Sequence, residues 1–386
     1  METTRRRDFL RAVGAGVAVA AVSGGGDIGV AATGGVPKPG RAAAALARKL
    51  PRWRGFNLRE KISSKSISRV GAKPLPGNLP FREQDFEWIA ELGFNFVRLP
   101  MDYHCWSGGD GPRRLNEKAL REIDQAVEWG RQYRIHVCLN MHHAPGYRVG
   151  WAIDPCLWTD EKPLELFCFY WSMFAKRYRG VPSSRLSFNL VNEPGRIKPG
   201  VYVTAEMCDK VYRRAIDAIR REDADRLIIV DGLLWAQKPL PGLADIQVAQ
   251  STHWYQPREL THYKAPWLKK ADWPKPAWPM KRKGRLLDRR WLRAAHVKPW
   301  KALEAKGVGV HVGEWGVLDT VPHDIALRWT RDCLELWKEA GWGWALWNFR
   351  GENGFGFLDT HRADVKYEDF HGRRLDRKML ELARET

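Results

Sequence analysis

Eight short apolar runs, separated by longer amphipathic stretches, constrain the fold of this chain more than any other feature. The runs have the length of buried strands, and they are Trp53–Leu58, Phe94–Met101, Ile135–His142, Leu186–Asn192, Leu227–Val230, Ile246–His253, Val308–Glu314 and Trp344–Phe349. Helical spacing of apolar residues predicts helices between most of them, at Arg82–Leu92, Glu117–Tyr133, Leu164–Tyr178, Val203–Arg221, Pro299–Lys306, Asp324–Ala340 and Leu375–Leu382. Eight such units in one run predict an α/β fold, the (β/α)8 TIM barrel.

The first 40 residues have the composition of an export signal and a linker. A run of arginines, Arg5 to Arg7, precedes Phe9-Leu10 and resembles a twin-arginine signal. The apolar stretch Ala12–Val22 is too short to span a bilayer as a helix. We therefore predict a signal peptide and linker at 1–40, a catalytic domain at 41–386, and a periplasmic or extracellular protein without a membrane span. A disordered basic tail is the alternative.

The net charge of +19 is concentrated in one segment, residues 258–300. Thirteen lysines and arginines in this segment face three acidic residues, and five of the 20 tryptophans of the chain lie there. The segment is too long for an ordinary connection, which predicts an insertion after the sixth strand that overhangs the cleft. It could cap the cleft or add stacking subsites, it could bind a polyanion, or it could be a solvated basic face. Because the protein is expected outside the cell, we predict no nucleic-acid partner.

Two of the predicted strands lead into a glutamate, Glu193 after the fourth and Glu314 in the seventh. Barrel enzymes build their sites from the carboxyl ends of the strands, so both carboxylates are expected in one cavity. Two carboxylates across a cavity are what hydrolysis of a glycosidic bond requires. Other polar or aromatic residues are expected at the same rim, namely Arg98, His142, His143, Asn192, His253, Tyr255 and Trp347.

These rim residues suggest unequal tasks for the two acids. A nucleophilic carboxylate needs a cation that keeps it ionised, and Arg98 could serve Glu314 in this way. Tyr255 could donate a hydrogen bond to Glu314, Asn192 could hold a sugar 2-hydroxyl, and Trp347 could stack on a pyranose. Structural roles remain alternatives for Arg98, His253 and Trp347. Adjacent histidines on a strand point to opposite faces, so the sequence predicts no metal site there and no cofactor.

Seven motifs in order resemble those of glycoside hydrolase family 5, the cellulase-type clan of (β/α)8 barrels. The resemblance runs from about Arg54 to Asp359, and its motifs are Arg54-Gly55-Phe56-Asn57, Phe96-Val97-Arg98-Leu99-Pro100, Met141-His142-His143, Asn192-Glu193-Pro194, His253-Trp254-Tyr255, Glu314-Trp315-Gly316 and Trp347 before Gly354-Phe355-Gly356. It implies that Glu193 is the general acid/base and Glu314 the nucleophile of a retaining hydrolase. It also implies that Arg98, His142, Asn192, His253, Tyr255 and Trp347 surround the sugar, while His143 has a looser role.

The substrate expected from this reading is a polysaccharide or oligosaccharide, most simply a β-1,4-glucan cleaved within the chain. Mannan, β-1,3-glucan and xyloglucan remain alternatives, as does action from a chain end, because loops beyond the central subsite set the choice. A non-catalytic barrel that binds carbohydrate or a polyanion is the alternative from another functional class. We expect a monomer.

Overall fold

The computed structural model describes residues 36–62, 78–108, 111–148, 151–268 and 272–385. The twin-arginine motif and the apolar stretch of the predicted signal lie outside these residues. In the part of the chain that is described, no helix has the length and apolar character needed to cross a membrane.

Eight parallel strands form a closed barrel, and each is hydrogen-bonded to the strands before and after it in the chain. They are β1 (Arg54–Asn57), β2 (Phe96–Asp102), β3 (His136–His143), β4 (Leu186–Asn189), β5 (Leu227–Asp231), β6 (Ala249–Trp254), β7 (Val310–Trp315) and β8 (Trp344–Leu346). This arrangement confirms the predicted (β/α)8 barrel. The predicted strand ends differ from these by up to three residues.

In the described part of the chain, six of the longer helices lie between the strands and cover the outside of the barrel, one precedes the first strand, and one follows the last. They are α1 (Arg41–Arg48), α2 (Glu83–Glu91), α3 (Glu117–Gln132), α4 (Glu161–Arg177), α5 (Ala205–Glu222), α6 (Lys298–Glu304), α7 (His323–Ala340) and α8 (Arg377–Glu385). Side-chain caps begin two of them, because Asn116 Oδ1 accepts from the Ala119 amide and Thr204 Oγ1 from the Met207 amide, each at 3.3 Å. Between β5 and β6 there is only a short turn and a 3-10 helix, Pro241–Ile246, as the weak pattern there predicts.

Helix α1 closes the barrel at the amino-terminal ends of the strands. Ala47 packs in a buried cluster with Phe96 and Leu227, the first residues of β2 and β5. The Gly309 amide, just before β7, donates to Ala47 O at 2.7 Å. With this end filled by apolar side chains, polar groups of the barrel gather at the opposite, carboxyl-terminal rim.

The basic segment 258–300, of which residues 269–271 are not described, has two parts with different surroundings. Near its start, Trp267 packs in one cluster with Phe355, Tyr255 and Trp347 at the carboxyl-terminal rim. Further on, a hairpin of Met280–Arg282 and Arg285–Leu287 leads to helical turns that lie against α7. Several of its cations pair with acidic residues, which are Glu259 for Arg282, Glu335 and Glu339 for Arg289, and Glu339 for Arg293. Its status as an insertion relative to other proteins stays a prediction.

Candidate active site

Glu193 and Glu314 meet at the carboxyl-terminal rim, and both side chains are buried. Glu314 lies in β7, and Glu193 follows β4 by four residues. One carboxylate oxygen of each residue and a ring nitrogen of His253 all lie within 4.8 Å of one another. Two acids and one base therefore share a space that is about the size of the reacting part of one glycosidic bond.

Two hydrogen bonds hold the backbone of Glu193 in an uncommon conformation. Its φ angle is +49°, in the left-handed region that residues with a Cβ rarely adopt. Asp231 Oδ2 accepts from the Glu193 amide at 3.0 Å, and the Tyr147 hydroxyl donates to the Glu193 carbonyl oxygen at 2.6 Å. A backbone conformation of this kind persists only where surrounding contacts, such as these two hydrogen bonds, hold it in place.

Arg98, fully buried in β2, fixes Glu314 through a hydrogen-bonded ion pair. Its Nη1 donates to Glu314 Oε1 at 2.6 Å and to Asn57 Oδ1 at 3.0 Å. Its Nε donates to Asn189 Oδ1 at 2.9 Å, and Nη2 donates to Asn192 Oδ1 at 2.5 Å. Three amide oxygens thus orient the guanidinium, so that its charge is directed at one carboxylate.

His253 lies between the two acids because the sheet is irregular at this point. The pairing of β6 with β7 shifts register between Thr252 and His253. A Cβ on Gly313 would lie 2.3 Å from Ser251 Oγ and 3.1 Å from His253 Nε2, so the imidazole packs closely against this glycine. His253 Nδ1 lies 2.8 Å from Glu193 Oε1 and 3.7 Å from Glu314 Oε2. Burial lowers the pKa of His253, but Glu314, Asp231 and Glu193 outweigh it and raise that pKa above its ordinary value.

Tyr255 supplies the second hydrogen bond to the carboxylate of Glu314. Its hydroxyl donates to Glu314 Oε2 at 3.1 Å. Burial, together with the charges of Glu314 and Glu193, holds the pKa of Tyr255 well above its ordinary value, so it remains a donor. Burial also raises the pKa of Glu314; His253 and Arg98 lower it, but the net direction is upward because Glu193 adds to the rise.

Asn192, His142 and Trp347 complete the rim near the two acids. Asn192 Oδ1 is taken by Arg98, while its Nδ2 is buried without a hydrogen-bond partner among the described residues. Burial, followed by the charges of His143 and Arg98, lowers the pKa of His142 well below its ordinary value, so this imidazole is neutral. The half-buried Trp347 ring stacks on His142 with centroids 5.3 Å apart and 17° between planes.

His143 differs from the other rim residues because it turns toward β2. Its Nδ1 lies 3.0 Å from Asp102 Oδ2, whereas His142 Nδ1 lies 3.2 Å from Asn140 Oδ1. The two adjacent imidazoles therefore have separate partners, in line with the expectation that they face different ways. His143 lines a neighbouring cavity with Tyr103 and His104.

The barrel and its buried acids agree with the relationships of the sequence. The family model described as cellulase, glycosyl hydrolase family 5, matches residues 73–353. The chain belongs to glycosyl hydrolase family 5. It is therefore an O-glycoside hydrolase.

Relatives of this family 5 chain include characterised and structurally solved proteins. Endoglucanase C of Acetivibrio thermocellus is 29% identical over 293 residues, which are 69% of this chain and 83% of that protein. A crystal structure described as a glycoside hydrolase is 37% identical, with a TM-score of 0.77 over 86% of this chain and 99% of that one. Thermotoga maritima Cel5A in complex with cellobiose is 20% identical with a TM-score of 0.67, over 88% of this chain and 99% of that one, and shows the same fold.

Sequence reasoning missed one charged residue of this family 5 site, Asp231. It is fully buried at the last position of β5, where its Oδ2 lies 3.4 Å from His253 Nε2 and 3.8 Å from Arg98 Nη2. The signal was present, because an acid follows the apolar run Leu227–Val230 directly. Ending that predicted strand one residue early left Asp231 out of the list of strand ends.

Glu193, His253 and Glu314 are also the described residues whose donor atoms are grouped closely enough to hold a metal ion. The electrostatics of this family 5 site oppose such binding. Arg98 lies 2.6 Å from one Glu314 oxygen, and a metal ion would have to displace the His253 contact with Glu193. The buried guanidinium already supplies the positive charge that a metal would bring. The expectation of no metal stays a prediction.

Proposed function

We propose that this hydrolase is a retaining enzyme that cleaves β-1,4-glucan within the chain, with Glu314 as nucleophile and Glu193 as general acid/base. The approach of the two carboxylates, whose nearest oxygens lie within 4.8 Å, carries this proposal. Retaining enzymes have carboxyl groups about 5–5.5 Å apart, whereas inverting enzymes need about 6.5–9.5 Å to admit a water molecule. Oxygens this close to one another support the shorter spacing of a retaining enzyme.

The different surroundings of the two acids support the division of roles. Glu314 receives the Arg98 guanidinium on one oxygen and the Tyr255 hydroxyl on the other. Both donors favour the ionised carboxylate that a nucleophile must be. Glu193 contacts His253, a titratable group that can exchange a proton with it across 2.8 Å. An acid/base must take up and release a proton in each cycle, so this partner suits Glu193.

In the first proposed step, a Glu314 oxygen attacks the anomeric carbon while Glu193 gives its proton to the departing glycosidic oxygen. The bond from carbon to that oxygen breaks, and a covalent glycosyl ester with Glu314 forms. In the second step, Glu193 takes a proton from water as the water oxygen attacks the same carbon, which releases Glu314. The unpaired Asn192 Nδ2 is suited to donate to the sugar 2-hydroxyl during both steps.

The choice of a β-1,4-glucan rests on relatives rather than on the central residues. Endoglucanase C and the cellobiose complex of Cel5A favour this substrate class. Mannan and β-1,3-glucan fit the same central residues. A screen of these polysaccharides for release of reducing ends, with viscosity measured in parallel, separates the linkage classes and separates internal cleavage from action at chain ends. We also propose a monomer whose partner is the polysaccharide alone.

Export through the signal at residues 1–40, with the barrel domain at 41–386, is part of the same proposal. The Arg5-Arg6-Arg7 motif and the apolar stretch that follows it support export. Replacing Arg5, Arg6 and Arg7 by lysine in the full chain is expected to retain activity inside the cell. Unchanged appearance of activity outside the cell would refute a twin-arginine route.

Two glutamine variants test the catalytic roles. Glu314→Gln is expected to lose about a hundredfold to ten-thousandfold or more in kcat/KM on every substrate. Glu193→Gln should lose far less on an aryl glycoside with a good leaving group, because that leaving group needs no proton. Glu381→Gln, an exposed change on α8, is the control. Wild-type rates in both active-site variants, or a first product of inverted configuration in proton NMR, would falsify the proposal.

A further inference from the structure

A cavity of about 410 Å³ lies beside the two acids, at the carboxyl ends of β2 and β3. Its walls come from four stretches of chain: Tyr103 and His104 after β2, residues 143–148 at the end of β3, residues 153–155, and Lys162, Pro163 and Leu166 at the start of α4. A volume in the range of about 300–1,000 Å³ is typical of small-molecule sites. None of the catalytic roles above uses this cavity.

Backbone contacts fix the shape of the cavity. Gly146 has a φ angle of +71°, and a Cβ there would lie 2.4 Å from Pro155 O and 2.5 Å from Leu157 N. The Ile153 and Leu157 amides both donate to Gly146 O, at 3.0 and 3.2 Å. The loop after β3 is therefore closely packed onto the segment that follows it. The cavity is formed before any ligand arrives, so binding needs little reorganisation.

A buried carboxylate orients two imidazoles in the wall of the cavity. Asp102 is fully buried, and its Oδ1 lies 2.6 Å from His104 Nδ1 while its Oδ2 lies 3.0 Å from His143 Nδ1. Burial would raise the pKa of Asp102, but the hydrogen bonds from His104 and His143 outweigh it and hold that pKa below its ordinary value. Since Asp102 is ionised and accepts, both Nδ1 atoms carry protons, and the Nε2 atom of each ring is left for another hydrogen-bond partner.

The remaining lining combines apolar surface with three charged groups. Pro145, Tyr147, Pro163 and Leu166 contribute apolar faces, while Arg148, Lys162 and Asp154 contribute a guanidinium, an ammonium and a carboxylate. Sugar rings have apolar C–H faces and a periphery of hydroxyls that both donate and accept. Imidazole nitrogens, donors and acceptors of both charges and rigid apolar walls match that chemistry.

Tyr147 connects this cavity to the catalytic acid. Its side chain lines the cavity, and its hydroxyl donates to Glu193 O and accepts from the Gly195 amide at 3.0 Å. A ligand held in the cavity would therefore contact a residue that is bonded to the backbone of Glu193. This proximity suits another part of the same substrate better than an unrelated small molecule.

We propose that the cavity lined by Tyr103, His104, His143, Tyr147, Lys162 and Leu166 binds a pyranose residue of the polysaccharide beyond the one under attack. The inference rests on the proposed function and extends it to substrate choice. The pyranose can come from two sources, a side branch on the chain or a more distant residue of the main chain. In either case the cavity selects among polysaccharides that share the same scissile linkage.

Filling the cavity tests the proposal. Leu166→Trp places an indole in it. The value of kcat/KM is then measured on three substrates with the same aryl leaving group: a cellobioside, a cellotetraoside and a xylosylated cellotetraoside. If the cavity binds a branch, the ratio of kcat/KM on the branched tetraose to kcat/KM on the linear tetraose should fall about tenfold. If the cavity binds a residue of the main chain, the ratio of kcat/KM on the linear tetraose to kcat/KM on the biose should fall by a similar factor. Unchanged ratios in a folded variant would overturn the proposal.

Two further variants control for misfolding. Lys162→Ala removes an exposed side chain. It should lower whichever kcat/KM ratio Leu166→Trp lowers, by about threefold, which is the effect of one lost hydrogen bond. Leu327→Trp alters a leucine on α7 that is also half-buried against the core, and its ratios should equal those of the wild type.

Binding without turnover separates this proposal from the proposed function. Calorimetry with Glu314→Gln, alone and combined with Leu166→Trp, measures the affinity for the same oligosaccharides. Loss of affinity on filling the cavity supports the site even where hydrolysis is absent. Equal affinity in the two proteins refutes the site, even where the wild type hydrolyses glucan.

Discussion

Replacing Arg98 by lysine keeps the charge beside Glu314 and removes the geometry that directs it. The guanidinium donates to Glu314 and to the side-chain oxygens of Asn57, Asn189 and Asn192. A lysine ammonium donates from one nitrogen and cannot reach four oxygens spread around a planar fork. We expect it to keep one of these contacts, with Glu314, and to lose the three amide contacts.

Each lost hydrogen bond costs about 1 kcal/mol, which gives roughly 3 kcal/mol for the three. If the transition state depends on all of them, kcat/KM falls by about 150-fold. The pH profile should change as well. In the proposed mechanism Glu314 must be ionised to attack, so activity is lost as the pH falls through its pKa. A less well-placed cation lowers that pKa less, and the acidic limb of kcat/KM therefore moves to higher pH.

The assay is kcat/KM on an aryl β-cellobioside across the acidic and neutral range, with thermal unfolding measured in parallel. Arg226→Lys is the matched control, because Arg226 is equally buried and its guanidinium donates to Leu186 O and to Asp223 near the opposite end of the barrel. The control should lose stability without a shift of the acidic limb. If Arg98→Lys likewise loses only stability, Arg98 is a structural residue and the reasoning is wrong.

Three other predictions follow from the same contacts. Gly313→Ala should disturb the packing around His253, since the new Cβ would lie 2.3 Å from Ser251 Oγ and 3.1 Å from His253 Nε2. It should reduce kcat by about tenfold or more, while Gly242→Ala, which meets no atom within 4 Å, should not. The wild-type acidic limb should lie above the ordinary range of glutamate, because the pKa of Glu314 is raised; a limb at or below that range contradicts this direction. Asp231→Asn removes a charge that raises the pKa of His253, so the His253 proton resonances should titrate at lower pH and kcat/KM should fall about tenfold to a hundredfold; an unmoved titration would contradict it.

The barrel could be predicted because its strands are buried on both faces and separated by amphipathic helices. Apolar runs such as Leu227–Val230 stand out from helices such as Ala205–Glu222, where buried and exposed residues recur with helical spacing. The ends of the strands could be predicted less well, for a physical reason. The sequence indicates a strand up to Asn192, but β4 ends at Asn189, because the chain then turns and brings Glu193 to a positive φ.

The candidate site could be predicted only in so far as its residues stand at strand ends. His253 and Glu314 were found in this way, whereas Arg98 lies at the third position of β2. Asn57 and Asn189 end β1 and β4 and hold the Arg98 guanidinium, but they were missed because the predicted strands ran past them to Leu58 and Asn192. The register shift that brings His253 between the acids likewise depends on pairing across strands, which periodicity along one strand does not contain.

The charges of the site explain how an acid and a nucleophile can sit so close together. Arg98 and His253, whose pKa is raised, face Glu314, Glu193 and Asp231 within one buried cluster. The 2.8 Å contact between His253 Nδ1 and Glu193 Oε1 gives the proton of the proposed acid/base a short path within this cluster. Arg98 and Tyr255 meanwhile hold Glu314 as the carboxylate, so the same cluster supports both proposed roles at once.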